Sequence, residues 1–403
     1  MDEPTTLGLR IRQVRQWRKL TLREAAALAG LSFSFWGEIE RGEKPVATRK
    51  TMEAITGVLR VHPAELTGQP WAPQGPVRTQ AQAELEGIET ALEHYELGLD
   101  PEISVRPWVQ IQADLERLVH LRHHVVDYTM QAELASALIG ELQGAYLHLP
   151  QHRREVLLGL ITVHYDAAST AKTLGGYGLP GLAARAVQQC AEALDEVVWL
   201  GYAAWARGTM TGHLDWAGQY RRSVAAAETL TSSLDSSDAL QACGMLHLSA
   251  ALAAGARGDH DTVTTHLNEA SALAARLDTE VGTWAHLWFG PTNVGIWKTS
   301  IALEGGQHAQ AMQVAKAAHP ELLPNRRQAE FWAALGRALA AEKKTRQQAV
   351  RVLVRAEKLA PQRIRHDLFV RETVADLLRQ ARRDAGGREL RGLAWRLGVA
   401  PIG

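Results

Sequence analysis

The chain has almost no cysteine. Cys190 and Cys243 are its only two, which leaves no CxxC pair, no zinc-ligand spacing and no disulfide framework, so reduced thiols in a cytoplasm are expected. The N-terminus, Met1-Asp2-Glu3-Pro4, is acidic where a secretory signal needs a basic start and an apolar stretch. The most apolar windows, Leu157 to Val163 and Met245 to Ala256, fall well below the roughly 20 apolar residues of a membrane span, the second being interrupted by His247 and Ser249. No membrane partner is expected. HExxH, GxSxG and GK[ST] patterns are all missing, so hydrolytic and nucleotide-binding motifs give no support for an enzyme, and no cofactor is called for. The glycines of Gly175 to Gly181 lie between two helical stretches with no strand nearby, which argues against a dinucleotide fingerprint. His120, His123 and His124 share one segment, but no carboxylate or cysteine there completes a metal set, and a solvated histidine cluster is expected.

Net charge is also absent, although its distribution is uneven. Residues 1 to 66 hold 11 Lys/Arg against 8 Asp/Glu, and the remainder holds 33 against 36. A mildly basic head therefore precedes a mildly acidic body, which permits nucleic-acid binding by the head alone. With 46% hydrophobic and 22% charged residues the chain is globular, and its 403 residues suffice for two or three structural units.

Strand-type alternation is missing throughout, so the fold is expected to be all-α. Residues 1–66 read as about five short helices, residues 67–79 as a Pro/Gly-rich linker, and residues 80–403 as a helical-repeat region for sensing and dimerisation. The clearest helix pair spans Phe331 to Pro361. Its Trp332, Leu335, Gly336, Leu339, Ala349, Leu353, Ala356 and Pro361 resemble the tetratricopeptide repeat, with one extra residue in the turn. Weaker copies span about Met245 to Leu277 and Thr292 to Pro320, which makes a degenerate α-solenoid the expectation.

Local chemistry is densest between Thr21 and Gly42. Thr21 and Glu24 have capping-box spacing, Gly30 suits a sharp turn with positive φ, Ser32 can cap the following helix, and Gly42 can end it. Phe35, Trp36 and Ile39 would face inward. Leu9 to Leu66 resembles the phage-repressor (XRE-like) class of helix-turn-helix domains, on Arg15, Ala26, Gly30, Ser32, Ile39, Glu40, Gly42 and Pro45 in register. The resemblance implies that the second motif helix enters the DNA major groove. Phe33, Ser34, Gly37 and Glu38 would lie at base edges, and Arg23, Ser32, Arg41 and Lys44 at phosphates. Arg12, Arg18 and Lys19 are further candidates that could equally be solvated. It also implies a structural ion pair between Arg15 and Glu40. The reading set has no Arg, Gln or Asn, the side chains best shaped for bidentate base recognition, so a helix that reads mostly shape stays open.

In the body, Trp284 to Trp297 concentrates aromatics around a Gly-Pro break. Trp284, Trp288, Asn293, Trp297, Asn325 and Arg326 are candidates for a ligand or peptide groove, with core packing or surface solvation as the alternative. Trp288-Phe289-Gly290-Pro291-Thr292-Asn293 and the closing Gly387 to Ala394 extend the resemblance to actinobacterial regulators that join a repressor-type head to a tetratricopeptide-like body. That family implies action on development or secondary metabolism, sometimes with a small protein partner encoded beside the regulator. One reading is a homodimer on a DNA operator whose body takes a peptide, small-molecule or small-protein effector. A protein adaptor whose head binds DNA weakly or not at all is the other reading.

Overall fold

The structure is a computed structural model that describes residues 6–67, 76–212, 215–381 and 387–399. Among the described residues there is no strand. Five helices build the head: α1 (Leu7–Trp17), α2 (Leu22–Leu28), α3 (Phe33–Glu40), α4 (Arg49–Leu59) and α5 (Pro63–Thr67). Their apolar faces close on a core of their own, in which Ile11, Trp36, Ile55, Leu59 and Leu66 are fully enclosed.

The body continues with α6 (Pro76–Glu93), α7 (Trp108–His120), α8 (Tyr128–His148), α9 (Arg153–Leu174), α10 (Leu179–Leu194), α11 (Val197–Thr211), α12 (Trp216–Thr229), α13 (Ser237–Ala256), α14 (His260–Ala274), α15 (Pro291–Glu304), α16 (His308–Ala315), α17 (Asn325–Ala340), α18 (Arg346–Leu359), α19 (Pro361–Arg365), α20 (Leu368–Ala381) and α21 (Arg388–Arg396). Helix α6 takes in residues 76–79, the end of the stretch read as linker, because a proline suits the first helical turn, where its missing N–H costs nothing. Residues 68–75 lie outside the described residues.

Neighbouring helices pack as a solenoid, with α9 on α10, α13 on α14 and α17 on α18 as its tightest pairs. The repeat read at Phe331 to Pro361 is the α17–α18 pair, joined by a 3-10 turn at Lys343–Thr345. Gly336 is needed there, because a Cβ would stand 2.6 Å from Leu353 Cδ2.

Helix α13 corrects one expectation. The window at Met245 to Ala256 belongs to a 20-residue helix, long and apolar enough by length and composition to cross a membrane, yet 78% of its apolar window is buried inside the protein. Apolar residues all round it are covered by α11, α12, α14 and α15, as befits the central helix of a stack. Gly244 on α13 leaves room for the fully buried Phe289, whose ring would lie 1.9 Å from a Cβ. The segment before α15 is pinned there by Gly282 N–H to Phe289 O (2.7 Å) and by Trp284 N–H to Gln241 Oε1 (3.1 Å).

Gly244→Ala is expected to destabilise the protein by about 1–3 kcal/mol, the range for overpacking a filled core. A chemical-denaturation midpoint equal to that of the parent protein would contradict this account of Phe289.

Candidate nucleic-acid interface and effector groove

The head is organised around one saturated carboxylate. Arg15 donates from Nε and Nη2 to the two oxygens of Glu40 (2.6 and 2.9 Å), and Trp36 Nε1 donates to Glu40 Oε1 (2.6 Å). Arg15 Nη1 also reaches Leu20 O (2.8 Å), so one guanidinium ties α1, the α1–α2 turn and α3 together. Both charged residues are buried, and the hydrogen bond to Glu40 raises the Arg15 pKa. Gly8 completes the α1–α3 crossing, since a Cβ there would stand 2.2 Å from Ile39 O.

The motif itself is capped as its residues suggest. Thr21 and Glu24 form a reciprocal capping box, and their hydrogen bonds lower the Glu24 carboxyl pKa. Gly30 and Gly42 adopt φ of 65° and 70°. Ser32 Oγ accepts from Phe35 N (3.1 Å), so its hydroxyl is already engaged as a cap.

The first turn of α3 lies open to solvent. Phe33 is 58% exposed, and Ser34 is exposed beside it. Gly37 is buried under Leu22 and the Arg41 side chain. Glu38 lies 3.5 Å from Lys44 Nζ, and Arg41 makes a bidentate pair with Glu43 (2.8 and 2.7 Å) that raises the Arg41 pKa and lowers that of Glu43. Two of the three cations expected at phosphates, Arg41 and Lys44, thus already have carboxylate partners. Such exposed pairs contribute little and exchange readily for another anion. Arg23, Arg12, Lys19 and Arg18 are exposed, and Arg18 also donates to Leu59 O and Arg60 O (both 3.0 Å) and so caps the end of α4.

The body holds the head from the opposite side. Glu304 at the end of α15 accepts from Arg49 N (2.8 Å) and Arg337 (3.1 Å), while Arg337 also donates to Ala47 O (2.7 Å). Burial pushes the Glu304 pKa up, but Arg337 and Arg49 hold it below the usual range. Trp216 Nε1 donates to Glu53 (2.8 Å), Leu368 and Phe369 pack on the head core, and His62 meets Tyr177 edge-on at 4.8 Å.

The groove candidates separate into groups. Asn293 donates to Leu287 O (3.2 Å) and accepts from Arg327 (2.8 Å), whose guanidinium lies over Trp297. Trp288 Nε1 reaches His123 Nδ1 (3.3 Å), and Asn325 Nδ2 donates to His124 O (2.8 Å). Arg326 reaches across to Ser169 Oγ on α9 (2.8 Å). Trp284 stands apart, packed on Trp199 and Tyr202. The histidine cluster is not solvated as a whole: His123 is buried in a π-helical turn, Leu121–Val125, and burial drives its pKa well down. Arg122, Asp166, Ser169, Glu330 and Arg363 also face this region and escaped the sequence reading. The signal that could have found one of them is an aspartate inside the apolar run of α9.

Residues 6–67 match a family model described as a helix-turn-helix domain. The head is a helix-turn-helix domain. No curated protein matches the chain. Among solved structures, the crystal structure of Bacillus thuringiensis PlcR in complex with the peptide PapR7 and DNA is similar over 67% of this chain and 95% of that one, at 13% identity. The TM-score is 0.25, too low for the likeness to bear on function.

Glu40→Gln, which leaves Arg15 without a buried counter-charge, is expected to destabilise the helix-turn-helix domain by about 3 kcal/mol. Replacing both partners, Arg15→Met with Glu40→Leu, should restore most of that loss in thermal unfolding. Equal stability of Glu40→Gln and the parent would show that the pair does not lock α1 to α3.

Proposed function

We propose that this chain is a sequence-specific DNA-binding transcription regulator, of the XRE-like kind, whose helical body receives a signal. The observation that carries the reading is the open first turn of α3 on a helix-turn-helix domain that the body grips through α4 and His62. Helix α3 would enter the major groove with its N-terminal end. Phe33 would meet a thymine methyl, Ser34 any base edge, and Glu38 a cytosine amino group. Gly37, having no side chain and lying buried, would serve only by leaving space.

Affinity would come from phosphates, with Arg23, Arg41 and Lys44 as clamps and the Ser32 turn beside them. Arg41 would exchange Glu43 for phosphate on binding, and Lys44 would leave Glu38, which frees that carboxylate for a base. Two copies on a pseudo-palindromic operator, with half-sites about one helical turn apart, follow from the usual geometry of such domains. A peptide, small molecule or small protein in the body would act through the grip on α4, since Glu304 and Arg337 belong to the body and hold the head directly.

The adaptor reading draws on a specific observation as well. Glu43 and Glu38 already neutralise Arg41 and Lys44, and helix α3 carries no basic side chain. A head of that kind could bind DNA weakly or not at all, while the body holds a partner protein.

Binding of the full chain to its own upstream duplex at several salt concentrations decides between the two. Arg41→Ala with Lys44→Ala should weaken binding to every sequence and flatten the salt slope by about 2, one for each phosphate contact removed. Glu43→Gln should strengthen it several-fold by freeing Arg41, and Ser34→Ala or Glu38→Gln should alter sequence preference. Salt-independent binding that none of these changes affects would leave the adaptor.

A further inference from the structure

We propose that the body contains a binding site for a carboxylate group, where Arg122 and Arg326 converge upon one face of α9 and Arg363 joins them through Glu330. The ligand is a small organic acid or the free C-terminal end of a short peptide. Its use as a signal rests on the regulator reading, whereas the binding itself does not.

On α9, Asp166 and Ser169 lie one turn apart. Arg122, from the π-helical turn, stacks on Tyr165 at 4.2 Å and places Nε 3.5 Å from Asp166 Oδ1. Arg326 reaches Ser169 from α17. Glu330, one turn further along α17, lies within 3.0–3.5 Å of Arg326, Arg327 and Arg363, so a single carboxylate serves three guanidinium groups. Burial pushes the Glu330 pKa up, yet these three arginines draw it down to about 2. Cations outnumber anions here: Arg122, Lys172, Arg326, Arg327 and Arg363 face Asp166, Glu330 and Asp367.

A network that serves only to join helices would satisfy its enclosed polar groups. This one leaves two enclosed donors without a hydrogen bond, Arg326 Nη1 and the Tyr128 hydroxyl, while Arg122 Nε and the Asp166 carboxylate meet only in their 3.5 Å ion pair. Tyr128 and Asp166 are each only 1% exposed. Water nonetheless enters, since the side chains of Arg326, Glu330 and Arg363 keep 16%, 24% and 26% of their surface accessible and Lys172 is exposed. Unsatisfied donors, surplus positive charge and an open path together describe a place for an anion. A planar carboxylate suits it best, because guanidinium forks bind carboxylate oxygens in pairs and the Tyr128 hydroxyl supplies one more donor. The π-helical turn aims Arg122 and His123 inward, and such turns occur frequently at functional sites. Trp288 against His123 would give the rest of the ligand an aromatic wall.

The test is calorimetric titration and thermal unfolding of the full chain. Its probes are citrate, acetate, inorganic phosphate and a pool of hexapeptides with either free or amidated C-termini, each at matched ionic strength. Citrate or acetate should raise the melting temperature beyond sodium chloride if the source is an organic acid, and free but not amidated peptides should do so if it is a peptide end. Arg326→Gln and Arg122→Gln should each weaken that binding at least tenfold, Asp166→Asn should tighten it several-fold, and Arg351→Gln on the outer face of α18 should leave it unchanged. Stabilisation no greater than chloride gives, phosphate binding as tightly as the carboxylates, or full affinity in Arg326→Gln would each overturn the proposal. Should the arginine variants fail to fold by circular dichroism, Asp166→Asn decides, and unchanged affinity there overturns it. Loss of carboxylate binding with DNA binding intact sinks this site alone. Loss of DNA binding with carboxylate binding intact sinks only the regulator reading.

Discussion

A carboxylate removed from water costs several kcal/mol unless cations and N–H groups replace its hydration, and this chain meets that constraint at each of its main joints. Glu40 is surrounded by Arg15 and Trp36, which sets α3 on α1. Glu304 is held by Arg337 and the backbone of Arg49, which sets the head on the body. Glu357, also buried, takes Arg365 and Arg396 and fastens α21 to the stack. Glu330 gathers three arginines between α17 and α19. Apolar burial supplies the bulk of the stability, but it is non-directional; these pairs fix which helix meets which.

The placement of the head follows from where its carboxylates point. Glu53 on α4 is matched by Trp216, and the backbone before α4 is matched by Arg337. No corresponding hydrogen bond or ion pair from the body reaches α3 among the described residues, and its first turn stays in water. The exposed Phe33 is therefore a property of the whole molecule, in that the body covers one side of the helix-turn-helix domain and leaves the other.

Much of this was legible beforehand, and the reasons are local. The five head helices, the capping box at Thr21, the positive φ at Gly30 and Gly42 and the Arg15–Glu40 pair depend on residues close together or on a motif with tight spacing. The α17–α18 pair was legible because one turn joins two amphipathic stripes. His123 was misread for the same reason in reverse. A histidine in a polar triplet is turned inward by a π-helical turn that no periodicity reveals, just as the exposed Arg18 caps a helix that begins 31 residues later. Asn325 and Arg326 find their partners, His124 and Ser169, far away along the chain.

The sequence by itself determined the helical class, the helix-turn-helix domain and the lack of any familiar catalytic motif, since each is written in short-range spacing. Only the tertiary structure decided which charges share a space. Arg122, Asp166, Arg326 and Arg363 are scattered over some 240 positions, and the superhelical path of the stack brings them together. A solenoid places side chains by the rotation accumulated from one helix pair to the next, and that rotation is set by packing, which residue order alone does not display.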